Sequence, residues 1–221
     1  MSVELTATEE NYLKSILNLS LQADISVSTN DIASILNTSA ASVTDMLKKL
    51  SQKELISYQP YKGARLSEQG YKHATSIIRK HRLWKVFLYQ SLNIPWEAVQ
   101  EIAEELEHIK SDLLLDHLDA FLGFPKFDPH GDPIPNAQGK YTLRAQSPLS
   151  DLQPGKSGLI IGIKDSETSF LKYLSEKGIG IGKSITAFEQ NRYDLSMTFH
   201  MERKEITLSG KAAQHILIKP L

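Results

Sequence analysis

The chain has 221 residues, more than a typical single domain, so two or three folded units are expected. It has no cysteine, which excludes disulfides, thiolate metal sites and cysteine nucleophiles and fits a reducing cytoplasm. No apolar run approaches the roughly 20 residues that span a membrane, and the N-terminal MSVELTATEE lacks the basic and apolar segments of a secretion signal. The net charge of −1 argues against a generic polyanion binder, but the charges are unevenly placed. Lys48 to Arg82 carries nine Lys or Arg against Glu54 and Glu68, whereas Glu97 to Asp119 carries eight acids against Lys110 alone. A basic segment followed by an acidic one suggests two partners of opposite sign, one polyanionic and one cationic.

Taken in chain order, Thr6-Ala7-Thr8-Glu9 reads as a capping box opening a helix with Tyr12, Leu13, Ile16 and Leu17 on its apolar side. Ser28 and Thr29 can cap a short second helix with Ile32, Ala33, Ile35 and Leu36 inward. Asn37-Thr38 makes a turn, and Ser39 starts a third helix with Val43, Met46, Leu47 and Leu50 inward. This is helix-turn-helix spacing. In LISYQPYKGARLSEQG (55–70), apolar and aromatic residues flank a Pro60…Gly63 turn, the pattern of a two-stranded hairpin. Ser67 then caps a long helix running to about Leu92.

A helix-turn-helix followed by a hairpin bearing Lys62 and Arg65 is a winged helix. Its third helix would offer Ser39, Ser42, Thr44, Lys48 and Lys49 to the bases and phosphates of a major groove, while Lys62 and Arg65 reach the backbone or the minor groove. Such units also serve as protein-binding or purely structural modules. The local basic excess favours double-stranded DNA as the partner.

Pro95 suits the start of the next helix, which carries the stretch EELEHIKSD (104–112). Val99, Ile102, Ala103, Leu106 and Ile109 form its apolar stripe, and Gln100, Glu104, Glu107 and His108 fall on another. Glu104, Glu107 and His108 stand at i, i+3 and i+4 and so share a face. Carboxylates that close repel unless a proton, a cation or open water intervenes. A solvated acidic face is the plain alternative. Two carboxylates and an imidazole without sulfur favour Mn(II) or Fe(II) in function, with Zn(II) or Co(II) able to bind in vitro. A metal-activated water would make a hydrolase, but there is no His-Glu-x-x-His spacing, Gly-rich phosphate loop or nucleophile motif. The residues therefore read as a metal sensor rather than an enzyme, and His117, His130 and His200 as surface or structural histidines.

Ser111 restarts a helix through Leu122, with Gly123 as its stop. Its run of Leu113, Leu114, Leu115, Leu118, Phe121 and Leu122 suits either a dimer interface or the core. FPKFDPHGDPIPNAQGK (124–140), with four prolines, is a connector. Beyond about residue 150, GLIIGIK, SITAFEQ, LSMTFHM, KEITLS and HILIKPL are β-prone runs, with one helix near 167–177, as in a small SH3-like β-barrel. The expected fold is α+β: a winged helix-turn-helix over 1–72, a helical metal-binding and dimerisation domain over 73–141, and an SH3-like barrel over 142–221.

RKHRLWKVFLYQSLNIPWEAVQEIAEELEHIKSD (79–112) and DPHGDPIP (128–135), in that order behind a winged helix, resemble the diphtheria toxin repressor family of bacterial iron- or manganese-dependent transcriptional regulators. The resemblance covers nearly the whole chain, its last part being similar to the ferrous-iron transport A domain. It implies a cytoplasmic homodimer that represses metal-uptake genes by binding a palindromic operator when Mn(II) or Fe(II) is bound. It further implies primary metal ligands at Asn11, Glu104, Glu107 and His108. Glutamate at 104 is similar to the manganese-responsive branch. An ancillary site would include His81, with Gln100 in place of a second histidine, and the C-terminal domain aligns near Gly162 and Asp165. Two positions depart from the pattern: Lys85 replaces an acid of the ancillary site, and Lys14 a carboxylate of the manganese branch. An ammonium beside a cation site adds repulsion of order 1 kcal/mol or more, or it pairs with a glutamate in place of a second metal. One well-formed site per protomer is expected. A metal joining Asn11 to Glu104 and His108 would orient the winged helix about the dimer axis, setting the recognition helices about 34 Å apart by a population shift. A regulator that has lost metal control is the reading those lysines leave open.

Overall fold

The computed structural model describes residues 4–23 and 26–221. The chain is α+β and packs as two units. One holds the chain up to His81 with Leu106–Ser111 and Pro135–Lys140; the other holds Arg82–Glu105, Asp112–Ile134 and Tyr141–Leu221. Among the described residues no helix is long and apolar enough to cross a membrane.

The first unit grows from local signals. Helix α1 (Ala7–Ala23) opens on the capping box: the Thr6 N–H donates to Glu9 Oε2 at 2.9 Å and the Glu9 N–H to Thr6 Oγ1 at 3.3 Å. Ser28 caps α2 (Thr29–Ile35) by accepting from the Asp31 N–H, and Ser39 caps α3 (Ala40–Gln52) by accepting from the Ser42 N–H. Strands β1 (Ile56–Gln59) and β2 (Gly63–Leu66) pair antiparallel, Ile56 opposite Leu66 and Gln59 opposite Gly63. Val27 adds a further rung by exchanging both backbone hydrogen bonds with Ala64 at 2.9 Å. Gly63 has φ +88°, and a Cβ there would stand 2.4 Å from the Val27 carbonyl oxygen, so the wing closes only on glycine.

Tyr12, Leu13, Ile16 and Leu17 of α1 pack with Ile32, Val43, Leu47, Leu50 and Ala64 into one core. Burying each large aliphatic side chain there contributes about 1.5–3 kcal/mol. Ile35, expected inward, is 55% exposed, because the seven-residue α2 turns only Ile32 fully inward.

Helix α4 (Glu68–Gln90) follows, Ser67 Oγ accepting from the Gly70 N–H at 3.1 Å. Helix α5 (Val99–Leu106) stops earlier than its periodicity suggests. Glu107 and His108 lie in the following turn, so the expected single helical face through 104, 107 and 108 is corrected. In that turn the Glu107 carboxylate is fully buried against Lys14 of α1 and His81 of α4, a placement set by tertiary partners rather than by helix periodicity. Helix α6 (Asp112–Phe121) divides its apolar run: Leu118 packs with Leu83, Val86 and Ile134, whereas Leu113 and Phe121 are each 70% exposed.

The proline-bearing connector is ordered by Asp128, which accepts from the backbone N–H groups of His130 and Asp132 and meets Lys85 Nζ at 2.5 Å. The buried His130 ring is 2.9 Å from the Trp96 carbonyl oxygen through Nε2, a structural role as expected.

The C-terminal part is a six-stranded antiparallel sheet of order β3-β8-β4-β5-β6-β7: β3 (Ser147–Pro148), β4 (Ser157–Ile163), β5 (Ser184–Gln190), β6 (Met197–Met201), β7 (Lys204–Leu208) and β8 (Ile216–Pro220). Helices α7 (Thr168–Glu176) and α8 (Gly210–Gln214) join a core containing Ile160, Leu171, Leu174, Ile185, Phe199 and Ile216. Register shifts in β4 and β5 bend the sheet toward the SH3-like form. The five β-prone runs are β4 to β8. The two-residue β3 pairs only through Ser147 and Pro148 and is too short for a composition signal.

Candidate metal centre and nucleic-acid face

Helix α1 presents Glu10, Asn11 and Lys14 at i, i+1 and i+4, and the turn after α5 brings Glu107 and His108 to them within the first unit. His108 Nδ1 lies 2.6 Å from Glu10 Oε2, Lys14 Nζ 2.6 Å from Glu107 Oε1, and His81 Nδ1 2.7 Å from Glu107 Oε2. His108 Nε2 is 3.9 Å from Glu107 Oε1. The cluster thus gathers two carboxylates, two imidazoles and one ammonium. Glu107 has no exposed side-chain surface. Burial pushes its carboxyl up, but the close approach of His81 and the charge of Lys14 outweigh that and hold it below the usual carboxylate range.

The donor chemistry fits a hard or borderline divalent cation: carboxylate and imidazole, no sulfur. Asn11 Oδ1 adds a buried acceptor with no hydrogen-bond partner among the described residues. Even so, no three His, Asp or Glu among the described residues stand as a ready coordination shell. The donors are closed on one another and on Lys14.

Of the sequence-derived ligands, Glu107, His108 and His81 meet in this cluster, and Asn11 lies on the helix that lines it. Glu104, Gln100 and Asp165 belong to the second unit and have local partners there. Glu104 is exposed and accepts from Gln100 Nε2 at 3.1 Å. Asp165 accepts from the Glu167 N–H at 3.0 Å and lines a cavity of about 390 Å³ with Phe170, Tyr173 and His215. Gly162 sits in β4. Sequence reasoning missed Glu10. Its one local signal was its position four residues before Lys14, on the same face of α1.

On the winged helix, the capping Ser39 and Ser42 and Lys48 of α3 are exposed, as are Lys62 and Arg65, which line a hollow of about 240 Å³ with Ser26, Ser57 and Gln59. Most of the expected contacts already have partners: Lys48 Nζ lies 3.4 Å from Asp45 Oδ1, and the Ser39 and Ser42 hydroxyls are 2.9 Å apart. The half-buried Thr44 donates its hydroxyl to the Ala40 carbonyl at 2.9 Å, and Lys49 Nζ lies 3.2 Å from Glu9 Oε1. Glu9 is fully buried and also takes Lys53 Nζ at 2.7 Å, which ties α1 to α3.

Burial pushes the Glu9 carboxyl up, but Lys53, the Thr6 N–H and Lys49 bring it from 4.5 down to about 2. A depressed folded value means the stabilisation is present above the unfolded value and lost as pH falls toward 2. Glu9→Gln keeps the capping geometry and removes the charge, so it should cost about 1–3 kcal/mol near neutral pH after allowing for the partly solvated lysines. Chemical denaturation should show this gap closing between about pH 5 and pH 2. A gap unchanged with pH would remove the ion pairs as its cause.

Three family models match consecutive parts of the chain. They are the N-terminal DNA-binding domain of iron-dependent repressors over residues 4–64, the metal-binding and dimerisation domain of those repressors over 67–136, and the FeoA domain over 147–220. A helix-turn-helix transcriptional regulator of Methanocaldococcus jannaschii is 34% identical over 113 residues, 51% of this chain and 90% of the relative. The diphtheria toxin repressor of Corynebacterium jeikeium is 32% identical over 169 residues, 76% of this chain but only 62% of the relative's length. Among solved structures, a manganese-dependent transcriptional repressor in complex with manganese is 30% identical. It superposes with a TM-score of 0.85 over 96% of this chain and all of that one.

Proposed function

Because this chain belongs to the diphtheria toxin repressor family of metal-dependent transcriptional repressors, we propose that it binds a palindromic operator as a homodimer when Mn(II) or Fe(II) occupies the Glu10, Glu107 and His108 cluster. The genes it controls on this reading are those of metal uptake, and its compartment the cytoplasm. The observation that carries the proposal is the path through α1. One end of its first two turns faces the cluster through Glu10, Asn11 and Lys14, while Glu9 grips the recognition helix through Lys49 and Lys53.

Glu10, Glu107 and His108 would hold the divalent cation, which would supply positive charge between the two carboxylates. The chain's own residues do the rest. His108 and Glu107 fix the turn after α5 against α1, and α1 fixes α3 through Glu9. Any change in α1 is thereby passed to Ser39, Ser42 and Lys48, with Lys62 and Arg65 adding phosphate contacts. Glu104, with His81, Asn11 and, less directly, Gln100 and Asp165, completes the ligand set under this reading. The functional parts remain 1–72, 73–141 and 142–221, and the exposed Leu113 and Phe121 of α6 are the proposed dimer face. The reported relatives are a transcriptional regulator and metal-dependent repressors, which supports a regulatory reading.

The Lys14–Glu107 contact favours a second reading, a winged-helix regulator without metal control. One experiment separates the two. Fluorescence anisotropy with a palindromic duplex should show Mn(II) tightening binding by about tenfold or more, a coupling of about 1.4 kcal/mol. Equal affinity with and without Mn(II) and Fe(II) would reject metal control.

A further inference from the structure

Glu107 is sealed from water, and each of its oxygens already has a nitrogen partner: Lys14 Nζ on Oε1 at 2.6 Å and His81 Nδ1 near Oε2 at 2.7 Å. The partners differ in what they can do. Glu107 has no exposed side-chain surface and cannot turn to solvent, whereas the Lys14 side chain is 15% exposed and carries its charge on a flexible four-carbon stem. Removing the ammonium alone would leave a buried carboxylate without its main counter-charge, which is costly. A divalent cation on Oε1 and a lysine on Oε1 therefore exclude each other by space and by like charge, and each satisfies Glu107 when the other is away.

The rest of the cluster matches this. Asn11 Oδ1, three residues before Lys14 on α1, is a buried acceptor without a hydrogen-bond partner among the described residues, so one donor stays in reserve while the lysine is seated. Glu10 and His108 are paired with each other at 2.6 Å, and no three-donor shell stands open.

We propose that Lys14 is a built-in competitor for the metal: its ammonium holds the cation position at Glu107 in the metal-free protein, and a divalent ion enters only by displacing it. This rests on the reading that the cluster takes a divalent cation. Two consequences follow for the chain. The metal-free state is held together by an internal charge rather than by mutual repulsion of its glutamates, and the concentration of metal needed for occupancy is raised.

Calorimetric titration with Mn(II) of the full-length wild type, Lys14→Met and Lys14→Arg tests it, together with thermal melting of each without metal. Lys14→Met should bind Mn(II) about tenfold or more tightly than wild type, melt lower without metal, and gain more from saturating Mn(II). Lys14→Arg keeps a cation at the position and should bind no more tightly than wild type. Binding by Lys14→Met where wild type shows none would also support the competition. Equal Mn(II) affinity in all three proteins, with unchanged metal-free melting, would overturn the competitor role while leaving the metal site standing. If folded wild type and folded Lys14→Met both fail to bind Mn(II) and Fe(II), the metal-site reading itself falls, and the competitor with it.

Discussion

Replacing Lys85 with methionine should destabilise the protein by about 3–5 kcal/mol, the usual cost of removing one member of a buried ion pair. Lys85 is 2% exposed, and its ammonium lies 2.5 Å from the carboxylate of Asp128, which is fully buried. Burial pushes the Asp128 carboxyl up, and the charge of Lys85 beside it more than reverses this. The same carboxylate holds the backbone N–H groups of His130 and Asp132, so the connector loop depends on it. Without Lys85, Asp128 must either stay charged in a low-dielectric setting or take up a proton, and both are unfavourable.

The double variant Lys85→Met/Asp128→Asn should recover most of the loss. Asparagine still accepts both backbone hydrogen bonds through Oδ1 and carries no charge. Urea denaturation of the two variants measures this. A cost below about 1 kcal/mol for Lys85→Met would show that the pair does not hold the loop. Lys85 occupies what the resemblance makes an ancillary-site acid, and its charge is already committed to Asp128.

The second large effect is functional. Glu107→Gln should weaken Mn(II) binding by about 100-fold or more, since even partners behind a ligand are worth 10–100-fold. It should also abolish the metal response of DNA binding. The amide keeps the size of the side chain but cannot balance Lys14 and His81, so metal-free stability should fall as well. Glu104→Ala offers the contrast. Glu104 is exposed and accepts a hydrogen bond from Gln100, so its loss should leave the fold intact while reducing the metal response. Calorimetry and melting of the two variants together read both effects. A Glu107→Gln protein that still binds Mn(II) with wild-type affinity would take Glu107 out of the site.

Local chemistry made much of this legible in sequence. The Thr6–Glu9 box, the Ser28, Ser39 and Ser67 caps and the wing turn at Gly63 each involve residues a few positions apart, where side-chain and backbone needs are met without knowledge of the fold. The apolar stripe of α1 was legible for the same reason. What sequence did not disclose was long-range. In sequence Glu9 reads as a capping residue, and its burial under Lys49 and Lys53 depends on how α1 meets α3. Lys49 accordingly looked like a free phosphate contact.

The i, i+4 spacing of Glu10 and Lys14 did not by itself mark Glu10 as a site residue, because its partner His108 is 98 positions away. The end of α5 at Leu106 was missed because apolar periodicity continues to Ile109, while Glu107 meets Lys14 of α1 and His81 of α4, partners far away in sequence. Lys14 and Lys85 stood out as departures from a family pattern. Only the structure shows that each has an acidic partner, one a glutamate and the other an aspartate.

The most direct measurement is anomalous scattering from crystals grown with Mn(II), collected beside a metal-free crystal. Control of the reading head by an ion at the α1 cluster requires a manganese peak within coordinating distance of Glu107 and His108, with the Lys14 ammonium moved off Glu107. Density showing Lys14 still seated on Glu107 and no manganese there, in a protein whose operator affinity nonetheless rises with Mn(II), would contradict it.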